Sequence, residues 1–303
     1  MKRFLIYAAL FSAIVLAALG AGELIVRGMD NPYKIKDRFV KQHAGQISTA
    51  VLGSSHTFYG IVADSLGNDA INLANVAQNY EYDLRVLRHY EPWLSGLTHV
   101  VIPVSYFSFF DPPFEKSDEK WYEIYYRLYM GIDKYPLLSR YGFEISDTQV
   151  YAGKLRSLFG GKRRGKTSEA GFGLDYTLDD RDPAWKEMAE ATVARHTAVD
   201  DRWTDYNISA LDSLLSYCRD REIDVTMLTL PVSDVYRGRL DGRQLERTRV
   251  LTDSFAEAYG VNYFDFSSDP DFIDDDFHDP DHLSDRGAMR FTRIIRESIL
   301  KNL

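Results

Sequence analysis

One stretch of the chain, residues 48–56 (STAVLGSSH), constrains the fold more than any other. It joins an apolar, β-branched run to Gly53-Ser54-Ser55-His56, and a segment compatible with a helix follows. This order is typical of a buried parallel strand that ends at the carboxyl edge of an α/β sheet, where such sheets bind their ligands. Gly53 permits a sharp turn, and the amide N–H groups after it can point at a ligand. A simpler interpretation is a strand-to-helix turn whose serines only cap the helix.

The rest of the chain repeats this alternation of strand and helix. Short runs rich in β-branched residues predict strands, and apolar residues at three- and four-residue spacing predict helices between them. The alternation predicts an α/β domain with a doubly wound parallel sheet flanked by helices. The predicted strands are 49–53, 70–74, 99–104, 224–230 and 261–266, and the predicted helices are 80–90, 204–218, 245–259 and 284–300.

Between residues 106 and 200 the alternation breaks down. We interpret this stretch as an insertion within a single domain that spans 47–303, because no second α/β pattern is visible in it. Its first part is crowded with aromatic residues, which are typical of core packing and also of platforms for sugar rings or acyl chains; the core interpretation is preferred. A basic run at 160–166 predicts a solvated loop that could touch anionic lipid headgroups.

The N-terminus predicts a membrane anchor. Lys2 and Arg3 precede an uncharged apolar run over residues 4–22, which as a helix would span roughly 28 Å, close to the hydrocarbon thickness of a bilayer. We interpret 1–28 as an uncleaved single-pass signal anchor, with a cleaved signal peptide as the alternative, and the polar, basic segment 29–46 as a juxtamembrane stalk.

The orientation of this anchor is contested by the sequence. Basic residues on both sides of the apolar run favour a cytoplasmic C-terminal domain when they are counted literally. Long domains, however, translocate largely regardless of charge, and a basic start before an N-terminal span is the usual export signal. We therefore predict a bacterial cytoplasmic-membrane protein whose soluble domain lies on the outer, periplasmic or extracytoplasmic side.

Composition excludes several classes of function. The net charge of −9 over 303 residues argues against nucleic-acid binding, which needs a dense basic face. No phosphate-binding glycine motif follows a predicted strand. Cys218 is the single cysteine, so an intramolecular disulfide and a cysteine-rich metal site are both excluded. We predict no nucleic-acid partner, no cofactor and no metal.

A second motif, Asp279-Pro280-Asp281-His282, stands before the last predicted helix. The spacing lets the Asp279 carboxylate hold one imidazole nitrogen of His282 while the other nitrogen faces outward, and a base held in this way can activate a serine hydroxyl. The alternative is an acidic surface loop with a helix-capping residue. Since this motif and Gly53-Ser54-Ser55 are both expected at the carboxyl edge of the sheet, the pair predicts a site there.

With these two motifs the chain resembles the SGNH/GDSL hydrolase superfamily, whose first block is Gly-Asp-Ser and whose last block is Asp-x-x-His. The resemblance implies an SGNH-type, flavodoxin-like three-layer fold. It also implies that Ser55 is the nucleophile, His282 the base and Asp279 the orienting acid. Among such proteins the chain looks most like membrane-anchored SGNH-like proteins of bacterial envelope polysaccharide acylation, such as those serving alginate acetylation and lipoteichoic acid D-alanylation.

The implied function is serine-dependent ester hydrolysis or O-acyl transfer on an envelope polysaccharide. The implied partners are an acylated envelope glycan or acyl donor, a polytopic membrane acyltransferase, and membrane lipid. Two alternatives remain open: a non-catalytic SGNH-fold protein that binds glycan or an acyltransferase partner, and a cytoplasmic-facing membrane protein of unknown role.

The chain departs from the family pattern around the oxyanion hole. The second-block glycine falls near Ala77, and the third-block asparagine falls near Ser105 or Tyr106, where no asparagine stands. Backbone amides of Ser55 and of the Ala77 region could still form a two-donor hole, and one donor is typically worth about 10²–10³ in rate. The candidates that support the nucleophile or its oxyanion are Ser54, His56, Asn75 and Ala77.

Overall fold

Five parallel strands form the centre of the domain. The computed structural model describes residues 1–134, 143–144, 148–158 and 165–299. The strands pair in the order β2-β1-β3-β4-β5, which is the order of flavodoxin-type doubly wound sheets. An α/β fold with a parallel sheet flanked by helices is therefore confirmed. The strands are β1 (Thr49–Val51), β2 (Ala70–Asn72), β3 (His99–Pro103), β4 (Asp224–Thr229) and β5 (Asn262–Asp265).

The helices cover the sheet and extend from it at the N-terminus. The predicted helices occur with ends that shift by a few residues. Residue 300 of the last predicted helix and residues 160–164 of the basic run lie outside the described residues. Short 3-10 or π turns occupy Phe114–Lys116, Lys120–Tyr122, Tyr126–Met130, Trp185–Met188 and Asp274–Asp276. The α-helices of the described chain are α1 (Lys2–Gly28), α2 (Pro32–Gln42), α3 (Ser55–Gly60), α4 (Ala63–Leu66), α5 (Tyr80–Tyr90), α6 (Glu123–Tyr125), α7 (Thr148–Leu158), α8 (Ala189–His196), α9 (Thr204–Arg219), α10 (Asp234–Arg237), α11 (Gly242–Tyr259) and α12 (Asp285–Ser298).

Each face of the sheet carries its own hydrophobic core. Successive residues of a strand point to opposite faces, so Val100 and Ile102 of β3 belong to the larger core, whereas Val101 belongs to the smaller one. The larger core contains side chains of α2, α5 and α9, and the smaller core contains Phe291 and Ile295 of α12. Helices thus cover both faces, as in a three-layer α/β domain.

The aromatic residues after β3 are part of the larger core. Phe109, Phe114 and Tyr126 are almost fully buried there, and Tyr125 is 6% exposed. Tyr33 of α2 packs against Tyr125 and Tyr126, with ring centroids 5.3 and 4.9 Å apart. The core interpretation of this segment is confirmed.

Residues 29–46, which the sequence predicts as a juxtamembrane stalk, are partly packed on the domain. They include helix α2, in which Tyr33, Lys36 and Val40 are buried on one side. These residues recur at the three- and four-residue spacing of one helix face, and that face packs on the domain. The polar composition of the segment concealed this face because one of its three members is a lysine.

Helix α1 is long and apolar enough to cross a membrane by length and composition, with a mean hydropathy of 2.3 in its most apolar window, and that window is not buried. This is consistent with a signal sequence or an anchor. The last turns of α1 contact the domain, since Glu23 and Val26 are buried and Glu23 Oε1 accepts the backbone N–H of Glu144 at 2.9 Å.

Candidate active site

The turn after β1 carries Ser55 to the carboxyl edge of the sheet. Gly53 adopts φ +107°, in the region that favours glycine, and its backbone N–H donates to Asp83 Oδ1 at 2.9 Å. Burial raises the pKa of Asp83 to about 7, against the opposing effect of its hydrogen bonds from Gln78 and Gly53. Ser55 is then the first residue of α3, so the N-terminus of this short helix lies at the site.

The loop before α12 fixes His282. Asp279 Oδ1 accepts the backbone N–H groups of Asp281 and His282 at 3.1 and 2.9 Å, which closes a tight turn. Ser284 then caps α12 by accepting the N–H of Gly287 at 3.2 Å. The direction of the His282 ring is therefore set on both sides by local hydrogen bonds.

The three residues of the two motifs form one hydrogen-bonded line. His282 Nε2 lies 2.9 Å from Ser55 Oγ, and His282 Nδ1 lies 2.9 and 3.0 Å from the two carboxylate oxygens of Asp279. Since Asp279 is an acceptor, we assign the Nδ1 proton to that contact, so that Nε2 of the neutral ring accepts the hydrogen of the Ser55 hydroxyl. A serine, a base and an orienting carboxylate in this geometry can perform nucleophilic chemistry. Ser55 is half-buried, so the hydroxyl is not sealed in the core.

Their position agrees with the sheet topology. In a sheet of this order, ligands bind beyond the carboxyl ends of the strands where the strand order reverses, here between β1 and β3. Ser55 follows β1 and Ser105 follows β3. The site therefore lies where a doubly wound sheet leaves a crevice.

Two carboxylates control the charge of His282. Burial alone would lower the pKa of His282, but the charges of Asp279 and Asp281 outweigh it and hold the pKa well above its usual range. Burial likewise would raise the pKa of Asp281, and the neighbouring His282 holds it well below the usual range instead. Below this raised pKa the protonated His282 forms an ion pair with the carboxylates, and above it the neutral ring can accept the Ser55 proton.

Ser54 and His56 both have hydrogen-bond partners next to Ser55 and His282. Ser54 Oγ accepts the backbone N–H of His56 at 3.4 Å and so caps α3. Both ring nitrogens of His56 have partners: Nε2 lies 3.0 Å from Asp281 Oδ2, and Nδ1 lies 2.9 Å from Ser105 Oγ. His56 therefore belongs to a buried hydrogen-bond network behind His282.

Asn75 is also committed to other contacts. Its side-chain nitrogen donates to Leu73 O at 3.2 Å and to Gln78 Oε1 at 2.9 Å, and its side-chain oxygen accepts from Lys36 Nζ. Its backbone N–H donates to Gly53 O at 3.1 Å, which places the 75–78 turn beside the nucleophile loop. The part of Asn75 near the site is thus its backbone, and its side chain holds the turn.

Ala77, one of the predicted supporting residues, has an unusual backbone conformation. It adopts φ +59°, in the left-handed region that L-residues other than Asn and Asp seldom adopt. The turn is closed by the Gln78 N–H, which donates to Asn75 O at 3.1 Å. An alanine therefore adopts here a backbone conformation that glycine favours.

Lys36 forms hydrogen bonds to the same turn. It is fully buried, and Nζ donates to Ala74 O and, at 3.1 Å, to Asn75 Oδ1. Nζ also lies 4.3 Å from the centre of the Phe58 ring. Burial lowers the pKa of Lys36 well below its usual range.

Several site residues had no motif in the sequence. Tyr176 and His196 both come from the 106–200 insertion; the Tyr176 ring stacks on Tyr59 at 3.8 Å and meets the His282 ring edge-on at 5.1 Å. His196 Nδ1 lies 3.8 Å from Asp281 Oδ2. Asp281 lies within the second motif. No local spacing marks these residues, because only the folded chain brings the insertion to the sheet edge.

One group among the described residues could hold a metal ion. Donor atoms of His56, Asp281 and His282 all lie within 4.8 Å of one another. The same atoms are already used in the contacts described above, including His282 Nδ1 with Asp279. The prediction that the protein needs no metal or cofactor stays a prediction.

Comparisons with known proteins give fold similarity at low identity. No protein-family model and no curated protein matches the chain. A crystal structure from Bacteroides fragilis, described as an acylhydrolase, has a TM-score of 0.41 and 13% identity and covers 87% of this chain and 95% of that one. A GDSL-like lipase from Bacteroides thetaiotaomicron has a TM-score of 0.43 and 13% identity, with 89% and 98% covered. These values identify no substrate and no catalytic residue in this chain.

Proposed function

We propose that this protein is a serine esterase or O-acyltransferase in which Ser55 is the nucleophile, His282 the base and Asp279 the orienting acid. The observation that carries the proposal is the unbroken line from Ser55 Oγ through both nitrogens of His282 to the Asp279 carboxylate, with distances of 2.9 Å at both contacts. Two motifs that are far apart in sequence contribute to this line.

The reaction that this geometry supports has two halves. Ser55 Oγ attacks the ester carbonyl as its proton moves to His282 Nε2, and the resulting tetrahedral oxyanion collapses as His282 returns that proton to the leaving alkoxide. The acyl group is then held on Ser55. Water or a sugar hydroxyl attacks this acyl-enzyme with His282 again as base, giving a free acid or a new ester.

Backbone amides are the proposed oxyanion donors. The N–H groups of Ser55 and Ala77 have no hydrogen-bond partner among the described residues. Ser55 N–H lies at a helix N-terminus, and the 75–78 turn is joined to the nucleophile loop through Gly53 O. Two such donors would stabilise the charge that develops on the carbonyl oxygen.

The proposed substrate is an acylated glycan of the cell envelope, or an acyl donor that serves one. The resemblance to envelope acylation proteins motivates this choice, and the apolar helix α1 is compatible with work at a membrane. The stacked rings of Tyr59 and Tyr176 beside His282 provide an aromatic surface of the kind that packs on sugar rings or acyl chains. A polytopic membrane acyltransferase is the proposed donor partner.

Serine-directed labelling tests the catalytic proposal. A fluorophosphonate probe is expected to modify the full-length protein on the peptide that contains Ser55, because only an activated hydroxyl reacts quickly with it. The variant Ser55→Ala should lose the label, whereas Ser54→Ala should keep it. If the folded wild-type protein is not labelled and cleaves none of a panel of acetyl, alanyl and longer acyl esters, the non-catalytic binding role replaces the enzyme.

Orientation is proposed as extracytoplasmic and is tested separately. A reporter that is active only outside the cytoplasm, fused after Leu303, is expected to be active because an N-terminal span with a basic start is a common export signal. A reporter that works only in the cytoplasm serves as the matched control. Activity of that control, with an inactive export reporter, would refute the envelope location and the glycan substrate with it.

A further inference from the structure

A second line of hydrogen bonds runs beside the proposed triad and ends on the same histidine. Ser105 Oγ lies 2.9 Å from His56 Nδ1, and His56 Nε2 lies 3.0 Å from Asp281 Oδ2. The other carboxylate oxygen, Asp281 Oδ1, lies 3.4 Å from His282 Nδ1. All four residues are buried, with exposures of 3–7%. This arrangement is a separate observation from the Ser55–His282–Asp279 line.

The charges in this line follow from burial and hydrogen bonding. Burial lowers the pKa of His56, so the ring is neutral, and its contact with an ionised carboxylate assigns the proton to Nε2. Nδ1 must then accept, so the Ser105 hydroxyl donates to it. Asp281 consequently remains an anion whose nearest cation is His282. Ser105 thus donates to His56 and His56 donates to Asp281, and these two hydrogen bonds hold the carboxylate in position.

Among the other groups around this pair, Arg195 carries a charge that acts on His196 and Tyr176. Burial lowers the pKa of His196 to about 3, so this ring is also neutral beside Asp281. Its Nδ1 lies 2.8 Å from the Tyr236 hydroxyl. Tyr176 and Tyr59 approach the His282 ring with their edges or faces, at centroid distances of 5.1 and 6.1 Å. Below its raised pKa, His282 is thus the one imidazolium of the described site, and it lies between two carboxylates.

We propose that Asp281, held by His56 and Ser105, is a second positioning carboxylate for the base His282, which it orients and stabilises as imidazolium together with Asp279. This inference rests on the proposed function. It also gives a role to Ser105, one of the two residues near the expected position of the asparagine, because its hydroxyl contacts His56 behind the base. His56 is, in the same way, a positioning residue and not a donor to substrate.

The two carboxylates beside His282 should both affect the pH dependence of ester cleavage. His282 must be neutral to accept a proton, so ester cleavage should increase as pH rises through the elevated pKa of His282. Removing the charge of Asp281 should lower that pKa and move the acid limb of the profile to lower pH. The maximal rate should fall at the same time, because the imidazolium that forms during the reaction loses one of its stabilising charges.

The test combines Asp281→Asn, Asp279→Asn and the double variant in the full-length protein in detergent micelles. For Asp281→Asn we expect the acid-limb midpoint of kcat/KM for p-nitrophenyl acetate to fall by about 1–3 pH units. We expect kcat to fall on the order of tenfold at the plateau, the equivalent of one pKa unit of lost stabilisation. The double variant should lose more than the product of the single losses, since each carboxylate partly replaces the other. Asp271→Asn, an exposed residue of the same acidic loop, is the matched control and should leave the profile unchanged.

A readout without turnover separates this inference from the proposed function. The His282 ring signals of ¹⁵N-histidine-labelled protein, followed by NMR against pH, should titrate at lower pH in Asp281→Asn than in wild type. If His282 titrates at lower pH in Asp281→Asn than in wild type but the wild type cleaves no ester, the proposed function fails. The charge coupling between Asp281 and His282 then still stands. If the wild type is active and Asp281→Asn changes neither the titration nor the pH profile, the inference is overturned.

The network behind Asp281 provides a second arm. His56→Gln keeps a side-chain N–H for Asp281, whereas His56→Leu does not, so the glutamine variant should retain most of the wild-type pH profile and the leucine variant should shift it. Ser105→Ala should have a smaller effect than His56→Leu. Fluorophosphonate labelling of Ser105 in the Ser55→Ala variant would instead make Ser105 a second nucleophile and would contradict its positioning role.

Discussion

Ser55→Ala and His282→Ala are each expected to lower kcat/KM for ester cleavage by about 10⁴- to 10⁶-fold, the loss that follows removal of a nucleophile or its base from a serine triad. The physical reason is the contact of 2.9 Å between Ser55 Oγ and His282 Nε2, through which the proton must pass. The double variant should lose little more than either single variant, because the two residues act as a unit. Steady-state kinetics, with circular dichroism melts to verify folding, measure these effects.

Two further variants act as controls for this result. Asp279→Ala should retain at least about tenfold more activity than Ser55→Ala, since an orienting acid transfers no proton. Ser54→Ala should be milder still, because Ser54 Oγ contacts the His56 N–H and not the base. A reversed ranking of the two serines would identify Ser54 as the nucleophile. Full activity in all four folded variants would rule out the triad.

Gly53→Ala is expected to destabilise the protein by about 2–5 kcal/mol and to reduce ester cleavage beyond what the loss of folded protein explains. A Cβ at this position would lie 2.1 Å from Pro103 Cγ and 2.8 Å from Thr57 Oγ1, and the backbone has φ +107°. Both the steric overlap and the strained φ would move the turn that carries Ser55. Urea unfolding and kcat/KM of the folded fraction are the measurements.

Gly153→Ala is the matched control for this substitution. Gly153 lies in α7, and within the described part of the chain a Cβ there would meet no atom within 4 Å beyond the backbone of its own helix. Because alanine is favoured over glycine within a helix, this variant should be neutral or more stable by up to about 1 kcal/mol. Equal stability and activity in Gly53→Ala and wild type would show that the turn tolerates a side chain and that its geometry does not fix Ser55.

Local patterns in the sequence were sufficient for the order of the elements. A β-branched run such as HVVIP at 99–103 reads as a strand because both faces of a central parallel strand are buried. The apolar residues of α9 and α12 recur at helical spacing, and the side of each helix that they form is largely buried. Predicted strand ends ran one or two residues too long, as in 49–53 against Thr49–Val51, because apolar residues continue into the turn that leaves the sheet.

The segment 29–46 shows where composition misleads. A polar, basic sequence predicted a juxtamembrane stalk, yet Lys36 of this segment is fully buried with Nζ on Ala74 O and Asn75 Oδ1. A lysine can be buried when carbonyl and amide oxygens accept hydrogen bonds from its Nζ. Here these oxygens belong to residues almost forty positions away. Such a partner is visible only once the sheet edge and α2 are packed together.

The sequence by itself determined the pairing of Gly53-Ser54-Ser55 with Asp279-x-x-His282, because a parallel sheet delivers the ends of its strands to one edge and each motif needs only local turns to aim its side chains. The tertiary structure alone decided what surrounds that pair. Asp281, His56 and Ser105 come from three separate segments, and their hydrogen bonds exist only where these segments meet. Contacts of this kind leave no periodic pattern along the chain, since their energy depends on distance in space and not on spacing in sequence.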